Sequence, residues 1–187
     1  MSEPVSALNG ARSGGMVELA EAGLHGMITL RGDLSDPRLA AALDAALGCP
    51  VPVQRRLATG RQGSALWMSP DELLLITDYA QAGARLKALE AALAEGFFTL
   101  ADVSDARAVF TLEGAQARDV LAKICPVDFA DFALGEVRRT RAAQIAAALW
   151  RSGEDEFTLV CFRSVAQYMW DLLGTVARPG GEVGLYR

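Results

Sequence analysis

Ile28-Thr-Leu-Arg-Gly32 returns as Phe110-Thr-Leu-Glu-Gly114, and this pair of phrases decides how the chain folds. Each is a short run of strand-forming residues closed by a glycine. Two further pairs follow in the same order. Gly48-Cys-Pro-Val-Pro52 is matched by Ile124-Cys-Pro-Val-Asp128. Trp67-Met-Ser-Pro-Asp-Glu-Leu-Leu-Leu-Ile76 is matched by Trp150-Arg-Ser-Gly-Glu-Asp-Glu-Phe-Thr-Leu-Val160. The offset, roughly 75 to 85 positions, is too long for a solenoid repeat. It fits one supersecondary unit used twice to build one core. The matching residues are apolar or turn-forming, so the duplication speaks of architecture more than of chemistry.

Outward from the first phrase, residues 27–31 predict a strand and Ser35 or Asp36 the cap of a helix, with Pro37 in its first turn. Leu39, Leu43, Ala46 and Leu47 form the apolar stripe of that helix, and Gly48 ends it. Strands are expected over 51–57, 64–68 and 73–77, then a helix over 81–94. Around the second phrase, strands near 97–101 and 107–112 precede a helix over 115–124. Long strands over 138–150 and 156–162 follow, and a last helix begins at Ser164. Each unit reads strand, helix, two strands, helix, with a further strand supplied by its neighbour. That is a split β-α-β arrangement. The expected class is α+β: two fused repeats with helices packed on mixed, largely antiparallel sheets. Residues 1–24 read as a flexible arm, 25–96 as the first repeat, 97–177 as the second and 178–187 as a tail, in one compact domain overall.

Bulk properties narrow the function. A chain of 187 residues, 51% apolar and 22% charged, can bury a real core without staples. Its net charge of −5 argues against nucleic-acid binding. No apolar run is long enough to cross a bilayer, and Met-Ser-Glu-Pro opens the sequence without the basic flank of a signal peptide. Cys49, Cys125 and Cys161 are odd in number and form no C-x-x-C pair, which suits reduced thiols in the cytoplasm.

Reactive constellations are sparse. Phosphate-cradling glycine motifs are absent. The single histidine, His25, stands between glycines with no metal-ligand spacing around it, and a loop residue is the plainer reading. Cys49 and Cys125 follow helix ends, where a thiolate is disfavoured, so packing roles are expected. Asp102-Val-Ser-Asp105 places two carboxylates at a strand corner, either as an acid/base pair or as a tight turn. Arg139 and Arg141 share one face of a strand. They could grip a carboxylate-rich ligand such as a folate tail, or simply face solvent. Phe129, Phe132 and Trp170 are candidates for an interface, Trp170 because it lies beside the apolar stripe of its helix.

Three groups of segments together carry a family resemblance. They are Ala101-Asp-Val-Ser-Asp-Ala-Arg107 with Leu112-Glu-Gly-Ala-Gln-Ala-Arg-Asp-Val-Leu121, then Gly135-Glu-Val-Arg-Arg-Thr-Arg141, then Phe157-Thr-Leu-Val-Cys-Phe-Arg-Ser-Val-Ala-Gln-Tyr-Met-Trp170. The chain resembles the gamma subunit of heterotetrameric sarcosine oxidase over about residues 25 to 177. That family is similar in turn to the folate-binding domain of glycine-cleavage aminomethyltransferases. The resemblance implies a complex that oxidatively demethylates sarcosine to glycine and passes the one-carbon unit to tetrahydrofolate. It places FAD, FMN, NAD, zinc and tetrahydrofolate on the alpha, beta and delta partner subunits. It implies no catalytic residue and no cofactor on this chain, with Asp102, Asp105, Arg139 and Arg141 as weak folate-like candidates only. The aminomethyltransferases carry an acidic residue where this chain has Ala142-Ala-Gln-Ile-Ala-Ala-Ala-Leu149, and the amide of Gln144 cannot move a proton in its place. Three roles follow: a non-catalytic subunit of a cytoplasmic flavoenzyme, a stand-alone folate-binding module or one-carbon transferase, and a self-associating domain.

Overall fold

A computed structural model describes residues 3–186. In chain order the strands and helices are β1 (Arg12–Gly14), β2 (Glu18–Glu21), β3 (Gly26–Arg31), α1 (Pro37–Leu47), β4 (Leu57–Thr59), β5 (Ser64–Ser69), β6 (Glu72–Thr77), α2 (Ala82–Ala92), β7 (Thr99–Asp102), β8 (Arg107–Glu113), α3 (Ala117–Ala122), β9 (Val137–Ala142), β10 (Ile145–Arg151), β11 (Glu156–Phe162) and α4 (Ala166–Val176). They form two compact units. One is His25–Asp105. The other joins the residues up to Leu24 with those from Ala106 onward.

The His25–Asp105 unit is built on a five-stranded sheet of order β4-β5-β6-β3-β7. Asp36 caps α1 by accepting from the Arg38 N–H, Pro37 takes the first turn, and Gly48 closes the helix at φ 71°. Leu39, Leu43 and Leu47 of this helix meet Ile28 and Leu30 of β3 and Leu73 and Leu75 of β6 in one core. Met27, Leu66 and Leu74, on the opposite face of the sheet, are buried too. Both faces being covered explains why these strands read as unbroken apolar runs.

The other unit has a six-stranded sheet of order β1-β2-β8-β11-β10-β9. Phe110, Leu112, Phe157 and Leu159 form its core with Leu121 of α3 and with Met169 and Leu173 of α4. Register makes the two sheets equivalent. In one, Gly26 faces Thr77 across β3 and β6. In the other, Ala108 faces Cys161 across β8 and β11. Thus β9-β10-β11-β8-β2 repeats β4-β5-β6-β3-β7 strand for strand.

The duplicated α+β architecture is present, and its fifth strands are exchanged. In sequence β2 leads β3, and β7 leads β8. In space β2 pairs with β8, while β7 pairs with β3. All the strand pairings are antiparallel among the described residues. The first 24 residues, expected to be an arm, contribute β1 and β2 and bury Val17 and Leu19. Leu185 and Tyr186 of the expected tail donate their N–H groups to Asp119, each at 3.1 Å. Strand boundaries also differ from expectation. Residues 138–150 are two strands, turned at Ala143-Gln144 with Ala143 at φ 50°. Residues 51–55 stay outside any strand, because Pro50 and Pro52 supply no N–H to a ladder and Arg55 takes φ 59°. No helix among the described residues is long and apolar enough to cross a membrane.

Candidate functional site

The Asp102–Asp105 corner is a structural clasp. Ser104 donates both its N–H and its hydroxyl to Asp102 Oδ1, at 2.9 and 2.5 Å. The same hydroxyl oxygen accepts from the Met27 N–H at 2.9 Å, and Val103 N–H donates to Met27 O at 2.8 Å. The corner therefore pins the end of β7 to β3. Asp105 accepts from the Tyr79 hydroxyl at 2.9 Å, which ties the corner to the turn that precedes α2. Ser104 and Tyr79 thus each donate a hydroxyl hydrogen bond to one of the two carboxylates.

Arg139 and Arg141 both lie exposed on β9, opposite Ala148 and Ala146 of β10. Arg138, just before them, bonds Glu136 and stacks over Phe132, 5.4 Å from its ring centroid. Arg141 lines an open cleft of about 300 Å³ with Lys123, Cys125 and Pro126. Lys123 itself donates to the Val176 carbonyl at 2.7 Å. The two carboxylates belong to the His25–Asp105 unit and the two arginines to the other. Gln144 sits exposed in the β9–β10 turn.

Two of the three aromatic interface candidates are core residues. Phe129 is 0% and Phe132 1% exposed, stacked on each other at 5.5 Å and edge-on to Phe157. Their spacing in a loop resembled a surface patch, but the loop folds its rings inward over the six-stranded sheet. Trp170 is half-buried, with its ring 6.3 Å from Phe110.

The thiols are inert by environment. Burial pushes Cys125 up to about 12 and Cys161 up to about 11, and it raises Cys49 as well. Among the described residues, no group of three His, Cys, Asp or Glu is placed to hold a metal. His25 Nε2 is buried without a hydrogen-bond partner among them.

Glu21 is among the buried polar residues that escaped the sequence reading. Glu21 is 4% exposed, and its Oε2 accepts from the Ser6 hydroxyl and the Gly10 N–H, both at 2.8 Å. It anchors the segment before β1. Its signal was a fourth echo: Glu18-Leu-Ala-Glu21 corresponds to Thr99-Leu-Ala-Asp102, so Glu21 is the counterpart of Asp102.

Comparison with known proteins agrees with this architecture. The sequence profile of the sarcosine oxidase gamma subunit family matches residues 31–178. The sarcosine oxidase subunit gamma of Corynebacterium sp. (strain U-96) is 36% identical over 124 residues, which is 64% of this chain and 60% of that protein's length. A chain in the structure of heterotetrameric sarcosine oxidase from Corynebacterium sp. U-96 superposes with a TM-score of 0.79 at 30% identity, covering 88% of this chain and 86% of that one. The glycine cleavage system aminomethyltransferase T of Bartonella henselae shares the fold, with a TM-score of 0.62 at 18% identity over 83% of this chain and 44% of that one. With its duplicated sheets and a family match running from β3 into the residues after α4, the chain belongs to the sarcosine oxidase gamma subunit family.

Proposed function

We propose that this chain serves as a non-catalytic gamma subunit in a heterotetrameric sarcosine oxidase. The observation that carries this reading is the near full-length superposition on a chain of such an oxidase, 88% of one and 86% of the other. The site residues support an accessory role. Asp102 and Asp105 are engaged by Ser104 and Tyr79, and burial keeps the thiols protonated. In this reading the alpha, beta and delta partners carry FAD, FMN, NAD, zinc and tetrahydrofolate. The assembled cytoplasmic enzyme demethylates sarcosine to glycine, and this chain holds part of that assembly together. Purification of the tagged full chain from its native source tests this. Co-elution with flavin-containing partners and sarcosine-dependent oxygen uptake is the expected result. A chain that elutes alone and turns over a folate substrate overturns it.

A further inference from the structure

The two equivalent sheets differ at one edge. In the six-stranded sheet, β1 covers the outer side of β2, with Arg12, Ser13 and Gly14 facing Ala20, Leu19 and Glu18. In the five-stranded sheet β7 takes the place of β2, and among the described residues no strand pairs with its outer side. The positions that would face a sixth strand are Thr99, Leu100 and Ala101, the counterparts of Glu18, Leu19 and Ala20. Backbone groups alternate sides along a strand. Val103 N–H points inward to Met27 O, so Asp102 and Leu100 turn their N–H and C=O groups outward. In the other sheet the counterpart of Asp102, Glu21, donates its outward N–H to Ala11 O at 2.8 Å. The same main-chain edge is therefore satisfied in one unit and open in the other.

This edge carries few of the usual guards: it is short and ends in Asp102, but no basic residue, proline or bulge blocks it. Sheet edges are protected from pairing by short length, charge, proline or bulges. The edge strand β1 is three residues long and starts with Arg12. β9 carries Arg138, Arg139 and Arg141. β4 is three residues long and follows Arg55 and Arg56. Thr99-Leu-Ala-Asp102 has no Lys, Arg or Pro, and its register against β3 is unbroken.

Phe97, fully exposed, stands just before this strand. Its position is held from the next residue. Phe98 packs against the core, seated on Gly32 and Gly96. A Cβ on either glycine would lie 2.2 or 2.5 Å from the Phe98 ring, so no other residue leaves it that seat. A solvated phenylalanine on a fixed backbone has the form of an interface anchor. Glu95 on one side and Asp102 on the other give the surface an acidic border.

We infer that the open edge of β7, with Phe97, receives an extended segment of another subunit. This inference rests on the subunit reading above. The segment adds as a sixth strand opposite Thr99, Leu100 and Ala101, in the place that β1 fills in the other unit. Its subunit closes an apolar pocket over Phe97 and turns Arg or Lys toward Glu95 and Asp102.

The test is hydrogen exchange of the full chain, alone and in the complex co-expressed with its cognate oxidase subunits. Exchange over residues 97–103 is expected to slow at least tenfold in the complex, and Phe97→Ala to weaken assembly at least tenfold with the Tm of the isolated chain unchanged. Unprotected exchange at 97–103 in a complex that forms normally overturns the inference and leaves the subunit reading standing, as does normal assembly of Phe97→Ala. Protection that grows with the concentration of the isolated chain assigns the edge to a second copy and overturns the inference too. Failure of the wild-type chain to join any cognate subunit overturns the subunit reading, and the inference with it.

Discussion

Ala143 holds φ 50° at the first position of the turn between β9 and β10, where a two-residue hairpin favours glycine. A left-handed backbone costs an L-residue about 1–2 kcal/mol. Ala143→Gly is therefore expected to stabilise the chain by about 1 kcal/mol after the added backbone entropy, read as a higher urea midpoint at unchanged slope. The same residue shows why the hairpin was illegible. Ala142-Ala-Gln-Ile145 contains no Gly, Asn, Asp or Pro, so residues 138–150 read as one strand. Cys49 and Cys125 were more legible, since their places after helix ends already argued for packing, an argument that Cys161 in β11 does not share. Burial of Cys125 has a consequence at alkaline pH. Its folded pKa lies near 12, above the ordinary 9.0, so the native state holds this proton more tightly than the unfolded state does. The resulting stability is complete below pH 9 and is lost as pH rises toward 12. By about pH 10.5 the loss is on the order of 2 kcal/mol. Cys125→Ala is expected to flatten the fall in urea midpoint between pH 8 and that point. An equally steep fall in the variant would assign the loss to other groups.

Helix α1 shows an element whose ends were both written in the sequence. Asp36, Pro37 and Gly48 stand at cap, first turn and C-terminal stop, and the observed helix spans Pro37–Leu47. The Arg38 side chain and its N–H both donate to Asp36, holding its carboxyl below the ordinary 3.8. A lowered folded pKa adds stability above the ordinary value, and this is lost as pH falls through the folded one. Asp36→Ala is thus expected to lower the Tm at neutral pH. The gap to wild type should close as pH drops below 3.8, as thermal melts across that range would show. Helix α4 was less legible. Ser164 was the expected cap, but a 3₁₀ turn over Arg163–Val165 intervenes and α4 begins without a side-chain cap bond. Leading strands were harder still. Glu18-Leu-Ala-Glu21 is a four-residue run with a glutamate at each end, and its pairing with β8 and β1 gives it a strand's role. Phe97 was hidden for a related reason. An aromatic pair before an apolar run reads as the start of a strand, yet β7 begins at Thr99 and leaves Phe97 outside it.

At the scale of the molecule, each sequence repeat lends its first strand to the other repeat's sheet. The chain passes between units at Leu24–His25 and again at Asp105–Ala106. Duplication could be read from echoes separated by a near-constant offset. The exchange could not, because it depends on which sheet a strand joins, and β2 and β7 are nearly alike in sequence. The consequence is that the six-stranded unit depends on residues far from it in sequence. Leu19 is 2% exposed and sits between β1 and β8, whereas its counterpart Leu100 is only partly buried on the open edge of β7. Truncating a fully buried leucine costs about 2–5 kcal/mol, and a half-buried one less. Since small domains have only about 5–15 kcal/mol in total, Leu19→Ala removes a large share of the stability of the unit it serves. It is therefore expected to lower the urea midpoint more than Leu100→Ala does. Hydrogen exchange should accelerate in β8 and β11, which share a core with Leu19, and stay slow in β3 and β6, whose core is separate. Acceleration spread equally over all four strands would mean that the two cores unfold as one, and that the exchanged strands couple what the packing divides.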